Sequence, residues 1–350
     1  MSKIYENVLD TVGHTPLIKL RNLPRNSKHT FYAKLESMNP GGSIKDRVAV
    51  AMVEEAERRG LLRPGGTIVE ATSGNTGVGL ALVGAVKGYK CIFVMPAKMS
   101  EEKRAILRAY GAKVVITPMG VGPEDPMSHY SVAKKIAAET PGAFLVNQFH
   151  NPDNPIKHYQ TTGPEIWSQL DGKIDMLVGG AGTGGTLSGC AKYLKEMNPK
   201  VKIICADPIG SILYDLFYSK KIVDPPGSYL VEGVGEDMLP DNVHMHLYDG
   251  FERVSDAEAF SMTRELVAEE GLLVGPSSGL ALIGAIKASE KLEKPSNIVV
   301  IFADSGRAYL SKAFNDTWMV ENGLMNQQQA SAAFNRVVSA EEALADLKKK

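Results

Sequence analysis

The chain has 350 residues, with 39 basic and 40 acidic side chains and a formal net charge of −1. Balanced charge argues against a general nucleic-acid binder or a polybasic membrane protein, because neither a net positive field nor a basic run dominates. With 44% hydrophobic and 23% charged residues the composition is globular, and the length suits about two domains.

Taken in chain order, the turn cluster Asn39-Pro40-Gly41-Gly42-Ser43 precedes Lys45 and a segment at 46–60 with helical spacing. A β-branched run at 67–71 reads as a buried strand and leads into a second helical segment at 74–88. The alternation continues with strands at 89–96, 112–118, 143–149, 174–180, 201–208 and 297–304. Helices are predicted at 100–111, 128–140, 164–170, 186–197, 255–271 and 278–292. Ser100, Ser128 and Ser255 stand at helix-cap positions, and Gly60, Gly88, Gly111 and Gly271 close helix ends. Apolar strands alternating with amphipathic helices specify an α/β fold whose parallel sheet is covered on both faces. Residues 321–350 are polar, then charged, and read as a tail.

No run approaches the ~18–20 apolar residues that span a bilayer, and the segment MSKIYENVLD has no apolar core of a secretion signal. Cys91, Cys190 and Cys205 are far apart and never in a CxxC pair, so a reducing cytoplasm is expected, without a disulfide framework or thiolate zinc site. No metal is expected: His244 and His246 would share a strand face, but no third ligand is apparent. His150 and His158 read as helix-end or loop residues, and Tyr159 and Trp167 as core or cap packing.

In a parallel sheet, ligands sit at the carboxyl ends of the strands, where helices begin. Two such loops stand out. The first, TSGNTGVG at 72–79, gathers the hydroxyls of Thr72, Ser73 and Thr76 at a helix starting near Asn75. That set suits a carboxylate, although a capped turn uses the same residue types. The second, GGAGTGGTLSG at 179–189, carries more glycine than core packing demands. Gly182, Gly184 and Gly185 let the backbone close on a phosphate, and Thr183 and Thr186 add hydroxyl donors. This loop also matches G-x-G-x-x-G through Gly180, Gly182 and Gly185, with Asp207 after the next strand, so a dinucleotide is an alternative ligand. Its mid-chain position fits that alternative poorly.

Lys45 stands at a helix N-terminus, the wrong end of the macrodipole for a structural cation. That place disfavours the ammonium form and suits an amine that acts as a nucleophile or forms a Schiff base. A surface lysine paired with Asp46 is the plain alternative. Together, a reactive amine, a carboxylate loop and a phosphate loop meet the needs of a pyridoxal-phosphate enzyme.

The motifs NPGGSIKDR, EATSGNTGVGLAL, GTGGT and VGPSSG occur in this order in fold-type II pyridoxal-phosphate enzymes. Across about residues 4–320 the chain resembles the cysteine synthase/cystathionine β-synthase family of that group. The resemblance implies a two-domain α/β fold like the tryptophan synthase β subunit. Residues 1–44 and 150–320 would form the larger cofactor domain, and 45–149 the smaller substrate domain. The implied cofactor is pyridoxal 5′-phosphate, with Lys45 as its Schiff-base partner and Asn75 on its 3′-oxygen. Gly182, Thr183, Gly184, Gly185 and Thr186 would hold the phosphate, and Ser277 would face the pyridine nitrogen. Thr72, Ser73, Thr76 and Gln148 would bind the substrate carboxylate, while Glu232 and Gly233 would face the incoming thiol.

The implied reaction is β-replacement on serine or an activated serine, with homocysteine or sulfide as the thiol. A hydroxyl at Ser277 makes a weaker electron sink than a carboxylate would, which favours loss of a β-leaving group over transamination. Phe149 follows Gln148 where many homocysteine-using members have tyrosine, and Glu236 stands where animal members have tyrosine. Asp304 and Arg307 would close the far side of the pocket or pair at the surface. The haem-binding extension and regulatory modules of animal members are not expected. The implied partners are small-molecule substrates and a second copy of the chain, with neither nucleic acid nor membrane.

Overall fold

The computed structural model describes residues 4–72, 74–97, 99–122, 124–328 and 340. Ser73 and most of the expected tail lie outside these residues.

Strands β1 (Leu17–Lys19) and β2 (Thr30–Leu35) pair antiparallel before the first long helix, α1 (Lys45–Arg58). Strand–helix units follow: β3 (Thr67–Ala71), α2 (Asn75–Lys87), β4 (Lys90–Pro96), α3 (Glu101–Ala109), β5 (Lys113–Thr117), α4 (His129–Glu139) and β6 (Ala143–Leu145). Helices α5 (Asp153–Gln160) and α6 (Thr162–Gln169) lead to β7 (Met176–Gly180), α7 (Gly185–Met197), β8 (Lys202–Pro208) and α8 (Leu213–Ser219). The described elements end with β9 (Gly250–Val254), α9 (Asp256–Glu270), α10 (Pro276–Ser289), β10 (Asn297–Phe302) and α11 (Asp316–Glu321).

Among the described residues the strands form two sheets, ordered β1-β2-β10-β7-β8-β9 and β5-β4-β3-β6. Every pairing except β1 with β2 is parallel. The α/β class expected from the alternation is therefore the observed one. β3 is buried at every position and β10 at all but its first, because helices cover both faces. Apolar clusters lie on both sides of the larger sheet: Leu280, Ala281 and Phe302 belong to one, Leu177, Leu187 and Ile301 to another. Val48 and Met52 of α1 share a third with Leu80 and Val83 of α2.

The predicted caps are real. Ser100, Ser128 and Ser255 each accept a backbone N–H of the first helical turn, and Gly88 and Gly271 end their helices in the left-handed conformation. The strand predicted over 143–149 stops at Leu145. Beyond it, Asn147 takes a positive φ of 55°, and the Glu70 carboxylate accepts its N–H, ending the ladder. No helix among the described residues is long and apolar enough to cross a membrane.

Candidate active site

α1 begins at Lys45, and the turn before it is pinned from three directions. Asn39 Nδ2 donates to the Glu36 carbonyl at 2.9 Å, Gly41 N–H to Asp46 Oδ2 at 2.6 Å, and Ile44 N–H to the Ala303 carbonyl at 2.8 Å. The last bond ties the lysine's turn to the carboxyl end of β10. Asp46 caps its own turn from a buried position, where burial pushes its pKa up to about 7, so it is not a surface partner of Lys45. Among the described residues the Lys45 amine has no ion pair or hydrogen bond. Burial lowers its pKa, against the opposing charges of Asp304, Glu36 and Glu236. An amine so placed is more easily unprotonated, as a nucleophile or base must be.

Opposite lies the loop between β7 and α7. The helix has no side-chain cap, so the N–H groups of its first turn remain for a ligand. Gly184 takes a φ of 83°, and a Cβ there would fall 2.4 Å from Val243 Cγ2. A Cβ on Gly182 would fall 2.6 Å from the Gly233 carbonyl. Packing therefore demands glycine at both positions, contrary to the sequence expectation, and it brings the loop at 182–186 against Gly233.

Two side chains hold the loop hydroxyls. Asn154 Nδ2 donates to Thr183 Oγ1 at 3.0 Å, and His158 Nε2 lies 3.2 Å from Thr186 Oγ1. The other ring nitrogen of His158 is 2.9 Å from Thr162 Oγ1. His158 lies at a helix end, as the sequence suggests, fully buried in the last turn of α5. Burial first, then the charges of Arg47 and Lys45, push its pKa well down, leaving a neutral ring that orients two hydroxyls.

α2 begins at Asn75, where the spacing places it. Thr72 Oγ1 accepts the N–H groups of Gly74 and Gly77 at 3.0 and 3.2 Å, which leaves its O–H proton to donate. Thr76 donates to Gln148 Oε1, and Gln148 Nε2 to the Ala71 carbonyl at 3.2 Å. Gln148 is itself placed by buried Glu70, which accepts its N–H at 3.2 Å. The Gln148 carbonyl accepts Asn154 Nδ2 at 3.0 Å, so an unbroken chain of bonds links the carboxylate loop to Thr183. Asn75 Nδ2 donates to Asp304 Oδ2 at 2.7 Å. Asp304 is only 3% exposed, which excludes the surface-pairing alternative, whereas Arg307 is exposed. Ser277 is buried in the first turn of α10, another helix start without a side-chain cap.

At the mouth, the Glu232 carboxylate pairs with Lys103 of α3 and, at 2.6 Å, with Lys312. The Lys103 side chain is 4% exposed, and its amine sits 4.8 Å from the Tyr309 ring centroid. A Cβ on Gly74 would come within 2.7 Å of Lys103 Cδ, so this side chain runs along the carboxylate loop. Exposed Gly233 lies beside Glu232. Neither lysine was among the expected site residues. His244 and His246 stack at 5.9 Å in a short 3-10 turn rather than a strand. Among the described residues no group of three His, Cys, Asp or Glu side chains could hold a metal. Asp207 faces inward, capping the start of α8 through the Tyr214 N–H at 3.0 Å, and is not open to a ribose.

The donor set fits pyridoxal phosphate. An unpaired, desolvated amine, an uncapped helix start flanked by threonines, and a hydroxyl at a second uncapped helix start are the groups such a cofactor needs. This fold and site define a pyridoxal-phosphate enzyme of fold-type II. Residues 8–304 match the family of pyridoxal-phosphate dependent enzymes, and the chain belongs to it. It is 47% identical over 326 residues to the cystathionine beta-synthase of Apis mellifera, an alignment covering 93% of this chain and 64% of that protein. It is 43% identical over 310 residues to the cysteine synthase of Staphylococcus aureus strain N315, covering 88% and 96%. The chain spans about three fifths of the length of the cystathionine beta-synthases of Apis mellifera, rabbit and rat. Its structure is similar to that of an O-acetylserine dependent cystathionine beta-synthase from Helicobacter pylori. The TM-score is 0.82 at 40% identity, over 89% of this chain and 99% of that one.

Proposed function

We propose that the chain catalyses β-replacement, condensing L-serine or an activated serine with L-homocysteine to give L-cystathionine. The observation that carries this reading is the mouth, where Lys103 and Lys312 share the single carboxylate of Glu232. A thiol that is itself an amino acid brings an α-carboxylate that these cations can receive; sulfide brings none.

When bound, pyridoxal phosphate supplies the electron sink that makes the donor's Cα proton acidic. Lys45 Nζ would remove that proton. The same nitrogen then delivers a proton to the departing oxygen, which matters most when hydroxide must leave. The hydroxyl of Thr72 and the amide of Gln148, itself oriented by Thr76, hold the donor's carboxylate, with Ser73 and Thr76 assigned beside them. Asn75, Ser277 and the residues from Gly182 to Thr186 orient the cofactor. Glu232 and Gly233 border the path of the thiol. We assign 1–44 and 150–320 to the cofactor domain and 45–149 to the substrate domain, and we place the enzyme in the cytoplasm as a homodimer.

A second reading, cysteine synthase acting on O-acetylserine and sulfide, draws on Phe149. Its ring meets that of Tyr130 edge-on at 5.6 Å, which gives the site an apolar wall beside Gln148. Product analysis with serine plus homocysteine, run against O-acetylserine plus sulfide, separates the two. Cystathionine as the faster product is expected, and turnover with sulfide alone would overturn the first reading. Lys45→Ala should abolish both reactions and the visible band of the bound cofactor.

A further inference from the structure

We propose that Asp304 is a positioning residue for the cofactor: its carboxylate fixes which way the Asn75 amide faces. One N–H of Asn75 is held by Asp304, which leaves the other for the pyridoxal 3′-oxygen. The inference rests on the reading of Asn75 as the partner of that oxygen.

Four segments of the site meet at this one residue. Its Oδ2 accepts Asn75 Nδ2 at 2.7 Å and the Tyr309 O–H at 2.6 Å. Asp304 forms an antiparallel bridge with Ser43, two residues before Lys45. Its carbonyl accepts the Gly275 N–H at 3.1 Å, and a Cβ on Gly275 would fall 2.1 Å from Oδ1. The carboxylate is therefore wedged against the loop that carries Ser277. Oδ1 is buried without a hydrogen-bond partner, so Oδ2 carries the whole task.

The physical reason lies in the symmetry of an amide. Its oxygen and nitrogen have nearly the same shape, so packing alone leaves Asn75 free to turn either way. A carboxylate only accepts hydrogen bonds, so it attracts Nδ2 and repels Oδ1. Burial strengthens that discrimination, since no water is at hand to satisfy a flipped amide. A neutral amide at position 304 could donate or accept, and the preference would vanish. Asp304 is also the foremost charge favouring a proton on Lys45, so its carboxylate acts on both groups nearest the cofactor's reacting end.

The test uses purified holoenzyme without substrate, so it does not depend on which thiol is used. In Asp304→Asn the visible cofactor band is expected to lose at least half its intensity to the near-ultraviolet band, because the 3′-oxygen has lost its fixed donor. Cofactor loss on gel filtration should rise about tenfold, with far-ultraviolet dichroism unchanged. Tyr309→Phe keeps the Asn75–Asp304 contact and should keep the wild-type band ratio. A folded Asp304→Asn enzyme with wild-type bands overturns the proposal, as does a Tyr309→Phe enzyme with the same altered bands. If Asp304→Asn does not fold, the structure of the wild-type holoenzyme decides. Asn75 Nδ2 shared between Asp304 and the 3′-oxygen supports the proposal, and an amide turned away from Asp304 overturns it. A colourless wild-type protein would instead refute the cofactor assignment itself.

Discussion

Two ionic networks lie near the turn that carries Lys45 and the loop that carries Asp304, and they are built differently. Behind α1, Arg47 and Lys34 face Glu36 and Glu165, two cations against two carboxylates. Arg47 Nε donates to Glu36 at 2.7 Å, its NH1 and NH2 both donate to Glu165 at 2.7 Å, and NH2 also reaches Glu36 at 2.9 Å. Lys34 Nζ reaches Glu165 at 2.8 Å, the Thr15 carbonyl at 2.7 Å and Gln169 at 3.0 Å. At the mouth, by contrast, two lysines contact one buried carboxylate, with Glu102 only at the rim. The balanced set has its donors and acceptors matched and holds β2, α1 and α6 together. The unbalanced set retains lysine donors for an anion. On the function proposed above, this difference separates a structural network from a binding one.

The contrast breaks most visibly at Arg47. Arg47→Met leaves two buried carboxylates with only Lys34 between them, and uncompensated buried charge costs about 3–5 kcal/mol. The protein is expected to unfold at markedly lower urea, or to be recovered only as aggregate. Arg47→Lys should fall between, since an ammonium cannot reproduce the forked contacts. A wild-type urea midpoint for Arg47→Met would show that the network contributes no stability. The same network predicts acid sensitivity. Against the opposing pull of burial, Arg47 and Lys34 hold Glu165 down at about 2. Its stabilisation is present above the ordinary carboxyl pKa and is lost as the pH falls from about 4.5 towards 2.

Lys103 should behave in the opposite way. In Lys103→Ala, Glu232 keeps Lys312 at 2.6 Å, so the urea midpoint should fall less than in Arg47→Met. The KM for homocysteine should rise more than tenfold, in line with the ~1.5–3 kcal/mol of a charged hydrogen bond, while the sulfide rate stays within about twofold. Equal losses with both thiols would make Lys103 a structural residue and erase the contrast between the networks.

How these networks read in the sequence follows from their range. The loops, their glycines and the helix caps are local, so Lys45, Asn75 and the 182–186 segment stand out from neighbouring residues alone. Lys103 is separated from Glu232 by 129 positions and Arg47 from Glu165 by 118, and no local pattern marks a partner that far away. His158 was placed at a helix end, as observed, but its partner Thr186 lies 28 residues on, across a helix packing that spacing cannot reveal. The strands β1, β2 and β9 were missed because a three-residue run, a run interrupted by Lys34, and a run broken by Glu252 and Arg253 all lack the continuous apolar signal of a buried strand.

A third buried carboxylate sharpens the comparison by having no cation at all. Glu70 accepts the N–H groups of Asn147 and Gln148, at 2.7 and 3.2 Å, with help from the Gln148 side chain, and burial pushes its pKa up to about 8. The sign of its effect is therefore the reverse of that at Glu165. Between about pH 4.5 and 8 the folded protein holds a proton on Glu70 that the unfolded chain has released. Stability from this group is complete below the ordinary carboxyl pKa and declines as the pH rises through 8. Asp46 and Asp207, each raised to about 7 by burial, slope the same way and steepen the wild-type decline. Glu70→Gln keeps one acceptor for the turn and removes the titration. Its unfolding free energy, measured by urea at intervals from pH 5 to 8, should fall less steeply than the wild type's. The gap should be at most ~1.4 kcal/mol per pH unit, the value of one proton. Parallel profiles for the two proteins would mean that Glu70 is ionised in the fold. In that case the two backbone N–H groups and the Gln148 side chain suffice to hold a bare carboxylate, and a cation is not what distinguishes Glu165 and Glu232 from it.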